Sequence, residues 1–299
     1  MQLNEIATRD EVSRFTRRNN WKGAGYVALN WAAIAAIFTG VALWTHPISV
    51  LAGILFLGGR QLGCAALMHD CGHRLLFSTQ EANAWVGQWL CAYPVFSDVH
   101  RYAAGHLKHH AYAGTTKDPD LPNYQAYPIS RASFRRKIGR DLSGRTGWKS
   151  LQATWRRGRE DLFRAPWNGN ALLGQALVQV TLFVILLAFG HPWLYWMWPA
   201  AFLTSYMLIA RLRQVAEHGA VPDSLNRDPR LNTRTTFVRW WERPFVAPFY
   251  LNYHLEHHVH ANVPCYNLRN FHVFLAQRGF YEDTQFPHGY RELFAQMVP

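Results

Sequence analysis

Four long apolar stretches constrain the fold of this chain of 299 residues more than any other feature. They cover residues 26–45, 48–68, 171–189 and 193–210, and Trp or Tyr stands near several of their ends. A helix of about 20 apolar residues crosses the ~30 Å of bilayer hydrocarbon, and Trp and Tyr favour the two interfaces. The sequence therefore predicts an all-α membrane protein with four transmembrane helices, and disfavours a soluble protein with buried core helices.

Very short links join the four stretches into two pairs. The first pair turns at His46-Pro47 and the second at Gly190-His191-Pro192, so we expect two helical hairpins. Neither tip contains Lys or Arg. Because Lys and Arg concentrate in cytoplasmic loops, the tips should lie on the non-cytoplasmic side of the membrane.

Basic residues are abundant elsewhere and give the chain a net charge of +12. Residues 127–170 hold eleven Lys and Arg against three Asp and Glu. We expect both termini and the long connection 69–170 to face the cytoplasm, in a single integral-membrane domain over residues 1–299. The charge suits anionic lipid headgroups. No nucleic acid is expected as a partner, because no nucleic-acid-binding motif accompanies the charge.

Eight of the fifteen histidines form three motifs. An HxxxH motif spans residues 69–73, and the HxxHH pattern occurs twice, as HLKHH at 106–110 and as HLEHH at 254–258. Positions i, i+3 and i+4 share one face of a helix, so each motif gathers its imidazoles on one side. Neutral imidazole binds iron, zinc, copper and nickel well. Eight imidazoles exceed the needs of one tetrahedral ion and indicate two metals.

His218 is a ninth candidate ligand, because it leaves the fourth apolar stretch on the same side of the membrane as His69. The other six histidines are expected to be structural. His46 and His191 lie at the hairpin tips, and His260 follows His258 by two positions, which turns it to another face of a helix. The remaining three match no motif: His100, His272 and His288.

Two other kinds of metal protein fit the pattern less well. Helical zinc proteases use HExxH, with Glu as the base, whereas this chain has Asp70 at the second position and many imidazoles left over. A transporter places its polar ligands near the middle of the bilayer. Here the motifs lie at the ends of spans and in the cytoplasmic segments, so both alternatives are disfavoured.

The order HxxxH, HxxHH, HxxHH beside two hairpins resembles the membrane fatty acid desaturase family, over roughly residues 45–275. The segments "HDCGHRLLF", "HLKHHAYAGTTKDPD" and "NYHLEHHVHANVPCYNL" are similar to bacterial acyl-lipid desaturases. The resemblance implies a bacterial inner-membrane protein with a cytoplasmic helical cap that holds two non-haem iron ions. By motif match, the ligands would be His69, His73, His106, His109, His110, His218, His254, His257 and His258.

The resemblance also implies a reaction. Two iron ions, with O₂ as co-substrate, would oxidise an unactivated C–H bond of a membrane lipid, most simply to desaturate a fatty acyl chain. Hydroxylation or ketone formation on a lipid or carotenoid, and metal binding without catalysis, stay open as alternatives. The four cysteines form no CxxC pair, so we expect electrons from a separate ferredoxin- or rubredoxin-like donor that docks on the basic cytoplasmic face.

Metal-bound imidazoles usually donate their second N–H to a carboxylate or carbonyl. Carboxylates near the motifs are therefore candidates for outer hydrogen-bond partners of the ligands: Asp70, Asp98, Asp118, Asp120, Glu217 and Glu256. Of the two residues that distinguish HLKHH from HLEHH, Lys108 should face solvent or the donor, and Glu256 should brace a ligand.

Two further polar residues are candidates for the site. Gln214 stands four residues before His218, where some members of the resembled family carry an Asn linked to iron through water. Arg60 lies inside the second apolar stretch, nine residues or about 13 Å along a helix from His69. A charge at that depth usually faces protein or a polar cavity. It would order the helix bundle or the base of a substrate tunnel, or else reach towards lipid headgroups.

Overall fold

The computed structural model of the protein describes residues 3–164 and 170–299. Residues 165–169 of the predicted cytoplasmic connection lie outside this range. In the described residues the α-helices are α1 (Leu3–Ile6), α2 (Arg9–Ser13), α3 (Asn20–Leu43), α4 (Pro47–Gly72), α5 (Gln80–Val86), α6 (Val99–Tyr112), α7 (Leu121–Tyr124), α8 (Arg131–Leu142), α9 (Arg145–Arg164), α10 (Ala171–Ala188), α11 (Met197–Ala201), α12 (Met207–His218), α13 (Pro229–Asn232), α14 (Arg243–Val246), α15 (His254–Val259), α16 (Cys265–Gln277) and α17 (Tyr290–Met297).

Short helices of other types complete the described structure. Three are 3₁₀-helices, at Tyr93–Val95, Pro192–Trp196 and Pro248–Tyr250. Two are π-helices, at Gly87–Ala92 and Phe202–Tyr206. Strands are absent from the described residues, apart from one isolated bridge between Phe237 and His288. The predicted all-α class is confirmed over this part of the chain.

The first predicted hairpin consists of α3 and α4, and both helices are long and apolar enough to cross a membrane. Local sequence sets the turn between them. The side chain of His46 accepts a hydrogen bond from the N–H of Ile48 at 3.2 Å, and Pro47 occupies the first helical position, which needs no N–H donor. At its other end, α4 continues beyond the predicted stretch and carries His69 in its last turn.

The second predicted hairpin differs from expectation. α10 is the third helix of membrane-crossing length and composition among the described residues. The fourth apolar stretch is instead divided between the 3₁₀-helix Pro192–Trp196, α11, the π-helix Phe202–Tyr206 and α12. Pro199 in α11 has no N–H to donate. A four-helix arrangement with a cytoplasmic cap therefore stays a prediction.

Serine and threonine hydroxyls accompany the change of helix type in the fourth stretch. Thr204 Oγ donates to the carbonyl of Ala200 at 2.6 Å, and Ser205 Oγ donates to the carbonyl of Ile54 on α4 at 2.7 Å. Such bonds compete with regular helical pairing and often bend helices. The hydroxyl of Ser205 also ties this irregular segment to α4.

Glycines on α4 allow its neighbours to approach closely. A Cβ at Gly58 would lie 2.3 Å from Ser205 Oγ and 2.8 Å from the backbone nitrogen of Tyr206. A Cβ at Gly63 would lie 2.2 Å from Asn30 Oδ1 on α3. Close contact through small residues is a common basis of helix association in membranes, and here it places α4 at the centre of the bundle.

Arg60 joins three helices inside this bundle. Its guanidinium donates to Asn30 Oδ1 on α3 at 3.2 Å and to the carbonyl of Pro244 on α14. Asn30 Nδ2 donates in return to the carbonyl of Arg60 at 3.2 Å and to the thiol sulfur of Cys64 at 3.2 Å. These contacts favour the helix-ordering interpretation of Arg60 over a side chain that reaches for headgroups, while the tunnel role stays a prediction.

We predict that Gly58→Ala destabilises the bundle. The added methyl group meets backbone that cannot move aside, and overpacking of this kind costs about 1–3 kcal/mol. The midpoint of thermal unfolding in detergent should fall. Gly40→Ala on α3 is the matched control, because its Cβ would have no heavy atom within 4 Å. Equal midpoints for the two variants would contradict the packing described here.

Candidate metal centre

Four helices deliver the nine predicted ligands. His69 lies in the last turn of α4, and His73 is the residue that caps this helix. α6 carries His106, His109 and His110. His218 is the last residue of α12, and the third motif forms most of the short helix α15. Each motif is helical, so its imidazoles share a face as the spacing predicts.

The ligating atoms of these histidines fall into two groups, in each of which all atoms lie within 4.8 Å of one another. The first group contains His69, His73, His106, His110 and His257. The second contains His109, His218, His254 and His258. Both HxxHH motifs contribute to both groups. Two adjacent all-histidine sites that could each hold a metal ion are thus present in the described residues.

The spacing of ring nitrogens suits shared metal ions. His110 Nε2 lies 3.0 Å from His106 Nε2 and 2.9 Å from His257 Nε2. His254 Nε2 lies 2.9 Å from His218 Nε2 and 3.1 Å from His258 Nε2. Two nitrogens bound at right angles to one ion, each ~2.1 Å from it, stand ~3.0 Å apart. Each group therefore has the separation expected of neighbouring ligands.

Unpaired nitrogens point to the same conclusion. His69 Nε2 and His73 Nε2 are buried without a hydrogen-bond partner. A buried polar atom without a partner is costly and demands an explanation. Since both atoms belong to the five-histidine group, a metal ion would satisfy them.

Three imidazoles of the site show how their surroundings hold them neutral. Burial lowers the pKa of His73 to about 3, that of His110 to about 2 and that of His218 to about 3, with neighbouring imidazoles adding to the effect. A neutral imidazole has a free lone pair on one nitrogen, which is the form that binds metal. The site is therefore ready for cations at physiological pH.

Asp118 is the best-placed outer partner of a ligand. Its Oδ1 lies 2.8 Å from Nδ1 of His109, and its Oδ2 accepts a hydrogen bond from the hydroxyl of Tyr124. Burial raises the pKa of Asp118, but the hydrogen bonds from His109 and Tyr124 outweigh it and leave the pKa lowered. The carboxylate thus directs the N–H of His109 outwards and leaves Nε2 free for metal.

Two more ligands have outer partners of the same kind. His218 Nδ1 donates to the carbonyl of Asn232 at 3.1 Å, which fixes its tautomer. Asp70 Oδ1 lies 3.3 Å from Nδ1 of His69, and Asp70 Oδ2 accepts from the N–H of Cys265 at 2.8 Å. Asp70 thereby links the end of α4 to the start of α16.

Three candidates occupy places near the second group. Glu217 Oε2 lies 3.5 Å from His254 Nε2, and Glu217 Oε1 accepts from Arg213 Nε at 2.6 Å. Burial raises the pKa of Glu217 to about 8, although Arg213 opposes the shift. Asp120 Oδ2 is 4.0 Å from His109 Nδ1. Gln214 lines a cavity of about 360 Å³ beside the site, together with Arg213 and Glu217.

Glu256 and Lys108 occupy the same position of their motifs but differ in surroundings. Glu256 is fully buried, and its carboxylate accepts hydrogen bonds from Thr235, from His272 at 2.6 Å and from Tyr281 at 2.5 Å. We expected Glu256 to contact a motif histidine. Its hydrogen-bond partners in the described structure are other residues, because this position faces the opposite side of the helix. Lys108 is exposed.

Asp98 also serves a local purpose. Its Oδ1 accepts from the N–H of Arg101 at 2.9 Å and so caps α6, while its Oδ2 accepts from Gln88 Nε2 at 2.6 Å. The sequence did not point to Tyr124, Asn232 or His272 as supports of the site. Each lies between six and 16 residues from the group it contacts, on a separate helix (α7, α13 and α16), so no helical spacing rule connects it to a motif.

Comparison with known proteins identifies the family. The profile of the fatty acid desaturase family matches residues 44–290. The chain belongs to this family, which confirms the resemblance found in the sequence and supports an oxidoreductase. The three apolar helices agree with a membrane protein.

Three relatives are 25–28% identical to this chain over the aligned residues. A dihydrorhizobitoxine desaturase of Bradyrhizobium elkanii is 27% identical over 83% of this chain and 73% of its own length. An sn-1 oleoyl-lipid 12-desaturase of Arthrospira platensis is 25% identical over 81% and 70%. A beta-carotene ketolase of Paracoccus sp. (strain N81106 / MBIC 01143) is 28% identical over 76% and 83%.

We predict that Asp118→Asn weakens metal binding. The neutral amide accepts a weaker hydrogen bond from His109, and the loss of such a partner commonly costs about 10–100-fold in metal affinity. Competition with a chelator, followed by metal analysis, measures the change. Asp120→Asn is the matched control in the same turn, since its carboxylate is 4.0 Å from His109. Similar losses in both variants would contradict a specific role for Asp118.

Proposed function

We propose that this protein is an O₂-dependent di-iron oxidase of membrane lipids, and that its reaction is the desaturation of a fatty acyl chain. The observation that carries the proposal is the pair of adjacent histidine groups in a chain of the fatty acid desaturase family. Fatty acyl lipid is the substrate class that the family name indicates, and one relative is named as an oleoyl-lipid desaturase.

Two iron ions are the proposed cofactors, one for each histidine group. Imidazole is a suitable ligand for iron, and the unpaired nitrogens of His69 and His73 are the atoms that most clearly need an ion. When bound, the iron pair supplies the redox chemistry that activates O₂. The part of the protein is to hold neutral imidazoles, to fix their tautomers through Asp118 and the Asn232 carbonyl, and to exclude bulk water.

The proposed desaturation balances as R–CH₂–CH₂–R′ + O₂ + 2e⁻ + 2H⁺ giving R–CH=CH–R′ + 2H₂O. Two C–H bonds break and one C=C bond forms, while O₂ is reduced to water by the two hydrogens of the substrate together with two external electrons and two protons. Hydroxylation would retain one oxygen atom in the product. The nine ligands serve both reactions, so the position of the substrate chain decides between them.

The second candidate is a carotenoid or lipid hydroxylase or ketolase. Its support is the beta-carotene ketolase among the relatives, which this chain matches over 83% of that protein's length. A membrane metal-binding protein without catalytic activity finds less support, since family membership favours an oxidoreductase. The products formed from lipids separate these functions directly.

We further propose an integral protein of a bacterial inner membrane, with both termini and the metal centre in the cytoplasm, and a single domain over residues 1–299. Support comes from the basic residues of the N-terminal segment and of residues 127–164, and from hairpin tips without Lys or Arg. The metal ligands lie at the opposite end of α4 from the tip at His46-Pro47.

Electrons are proposed to come from a separate ferredoxin- or rubredoxin-like protein. This proposal rests on the four cysteines of the chain, which form no CxxC pair. Lys108 is exposed on α6 between the ligands His106 and His110, which makes this face of α6 a short path to the centre. An acidic donor would be attracted to a basic face.

Expression in a bacterial host of known lipid composition, followed by lipid mass spectrometry, tests the reaction. We expect new acyl species lighter by two hydrogens, and about two iron ions per purified chain by analogy with the two histidine groups. His110→Ala should abolish the product because His110 Nε2 lies at the centre of the first group. His260→Ala, in the half-buried histidine outside both groups, should leave the product unchanged.

Other outcomes discriminate among the candidates. Species heavier by one oxygen would favour hydroxylation, and species that gain one oxygen and lose two hydrogens would favour ketone formation. Unchanged lipids and carotenoids in an iron-loaded protein supplied with a donor would contradict lipid oxidation. Product formation by His110→Ala would contradict the ligand assignment.

Lys108→Glu should slow turnover that depends on an acidic donor. Reversal of a charge at the rim of an interface chiefly changes the association rate, so we expect at least ~3-fold slower turnover at low salt and a smaller difference at high salt. Arg136→Glu, at an exposed position on α8, changes the net charge equally and is the control. Equal effects of the two reversals would argue against docking on α6.

A further inference from the structure

Three adjoining cavities extend from the amphipathic helix α9 to the metal centre. The outer cavity lies beneath α9 and has a volume of about 410 Å³; the middle cavity is of equal size, and the inner cavity measures about 360 Å³. The outer and middle cavities share Phe96, Thr154, Leu172 and Gln175 as lining residues. The middle and inner cavities share Arg101 and Tyr102.

The inner cavity reaches both histidine groups. Its lining includes His106 from the first group and His109, His218 and His254 from the second. The ring of Tyr102 stacks on His106 with a centroid distance of 5.3 Å and lies 6.2 Å from the ring of His69. An occupant that passes Tyr102 from the middle cavity therefore arrives directly beside the ligands.

The outer cavity is lined by apolar side chains at the level where a membrane-crossing helix begins. Trp148, Leu151 and Trp155 of α9 form one side, and Leu172 in the first turn of α10 forms another. Trp148 and Trp155 are each 58% exposed. Aromatic residues of this kind favour the interface between hydrocarbon and headgroups, so this end of the cavity series faces the bilayer.

Exposed basic residues surround this apolar face of α9. Arg145 and Arg159 stand three and four positions from Trp148 and Trp155 and border the apolar face, whereas Lys149, Arg156 and Arg157 lie off it and form the basic face. A helix with Trp and Leu on one face and Lys and Arg beside it lies in the plane of the membrane interface and binds anionic lipid. Arg157 also lines the middle cavity, which brings positive charge to the side of the passage.

Two polar side chains in the walls of the passage are paired with backbone carbonyls. Gln175 Nε2 donates to the carbonyl of Ser97 at 3.0 Å, and Thr154 Oγ donates to the carbonyl of Phe96 at 3.4 Å. On the far wall, Phe96 contacts Phe202 at a centroid distance of 4.8 Å. The apolar part of this lining suits an acyl chain, while the charged side chains of Asp98, Arg101 and Arg157 also border the middle cavity.

We propose that the three cavities form one lateral channel, through which an acyl chain of an anionic membrane lipid passes from the bilayer to the metal centre. The headgroup stays at the interface against the basic face of α9, and the chain passes beneath Trp148 and Trp155 and then beside Tyr102. This inference rests on the proposed lipid oxidation, and it names the substrate as a bilayer lipid rather than a thioester carried through the cytoplasm.

Ser150→Phe tests the channel, because Ser150 lies on α9 and lines the middle cavity. The phenyl group would fill the passage at a distance from the ligands. With the purified holoenzyme, a reducing donor system and vesicles of phosphatidylglycerol, we expect at least a ~10-fold loss of oxidised acyl product with unchanged iron content. Ala132→Phe, at an exposed position on α8, is the control and should retain wild-type turnover.

Wild-type turnover of phosphatidylglycerol by iron-loaded Ser150→Phe would overturn the channel. If that variant fails to fold, Thr154→Leu places a smaller obstruction between the outer and middle cavities, and the yield of oxidised product should fall for acyl chains of every length. An unchanged yield in folded, iron-loaded Thr154→Leu would likewise overturn the proposal. Absence of any product from the wild type would instead count against the proposed function.

A comparison of phosphatidylglycerol with phosphatidylcholine tests the choice of an anionic headgroup. In the double variant Lys149→Ala and Arg156→Ala, whose positions are exposed on α9 and line none of the three cavities, the preference for phosphatidylglycerol over phosphatidylcholine should fall several-fold, measured as the ratio of their kcat/KM values. An equal KM for both lipids in the wild type would overturn the choice of an anionic headgroup. Faster conversion of a soluble acyl thioester than of either lipid, with no loss in Ser150→Phe, would overturn the lateral route.

Discussion

The rest of the structure depends on the packing of nine imidazoles around two points. Nitrogens such as those of His110 and His257 approach to 2.9 Å, and the unpaired nitrogens of His69 and His73 are buried beside them. The lone pairs of these imidazole nitrogens do not stabilise one another, and their burial is unfavourable until a cation binds them. Ions at these points would therefore stabilise the contact of four helices that are far apart in sequence.

A layer of hydrogen bonds around the imidazoles determines which nitrogen faces inwards. Asp118 and the Asn232 carbonyl each hold an Nδ1–H on the outside of the site. Glu256 acts indirectly, because it accepts hydrogen bonds from His272 and Tyr281 on the buried side of α15 instead of bonding to a ligand. Loss of these hydrogen bonds would free α15, which carries three of the ligands. Glu256 therefore supports the metal centre by holding the backbone of α15 in place.

The two apolar hairpins contribute unequally to this arrangement. α3 and α4 follow their hydropathy, because each is a continuous run of apolar residues with a side-chain cap at its start, to which α4 adds Pro47. The fourth stretch is also free of Asp, Glu, Lys and Arg, but Pro199 interrupts its hydrogen bonding and Ser205 pairs with the carbonyl of Ile54 on a neighbouring helix. Composition alone does not report such a change of helix type, since the competing bonds depend on which helix lies beside it.

The sequence by itself determined the helical class, the long helices α3, α4 and α10, the family and the nine candidate ligands, because hydropathy and i, i+3, i+4 spacing act over a few turns of one helix. Only the tertiary structure decided that five imidazoles gather in one group and four in the other. It also turned Glu256 away from the ligands and aligned the cavities beside Tyr102. These features arise from contacts between segments up to two hundred residues apart, such as Asp70 with Cys265, for which local spacing carries no signal.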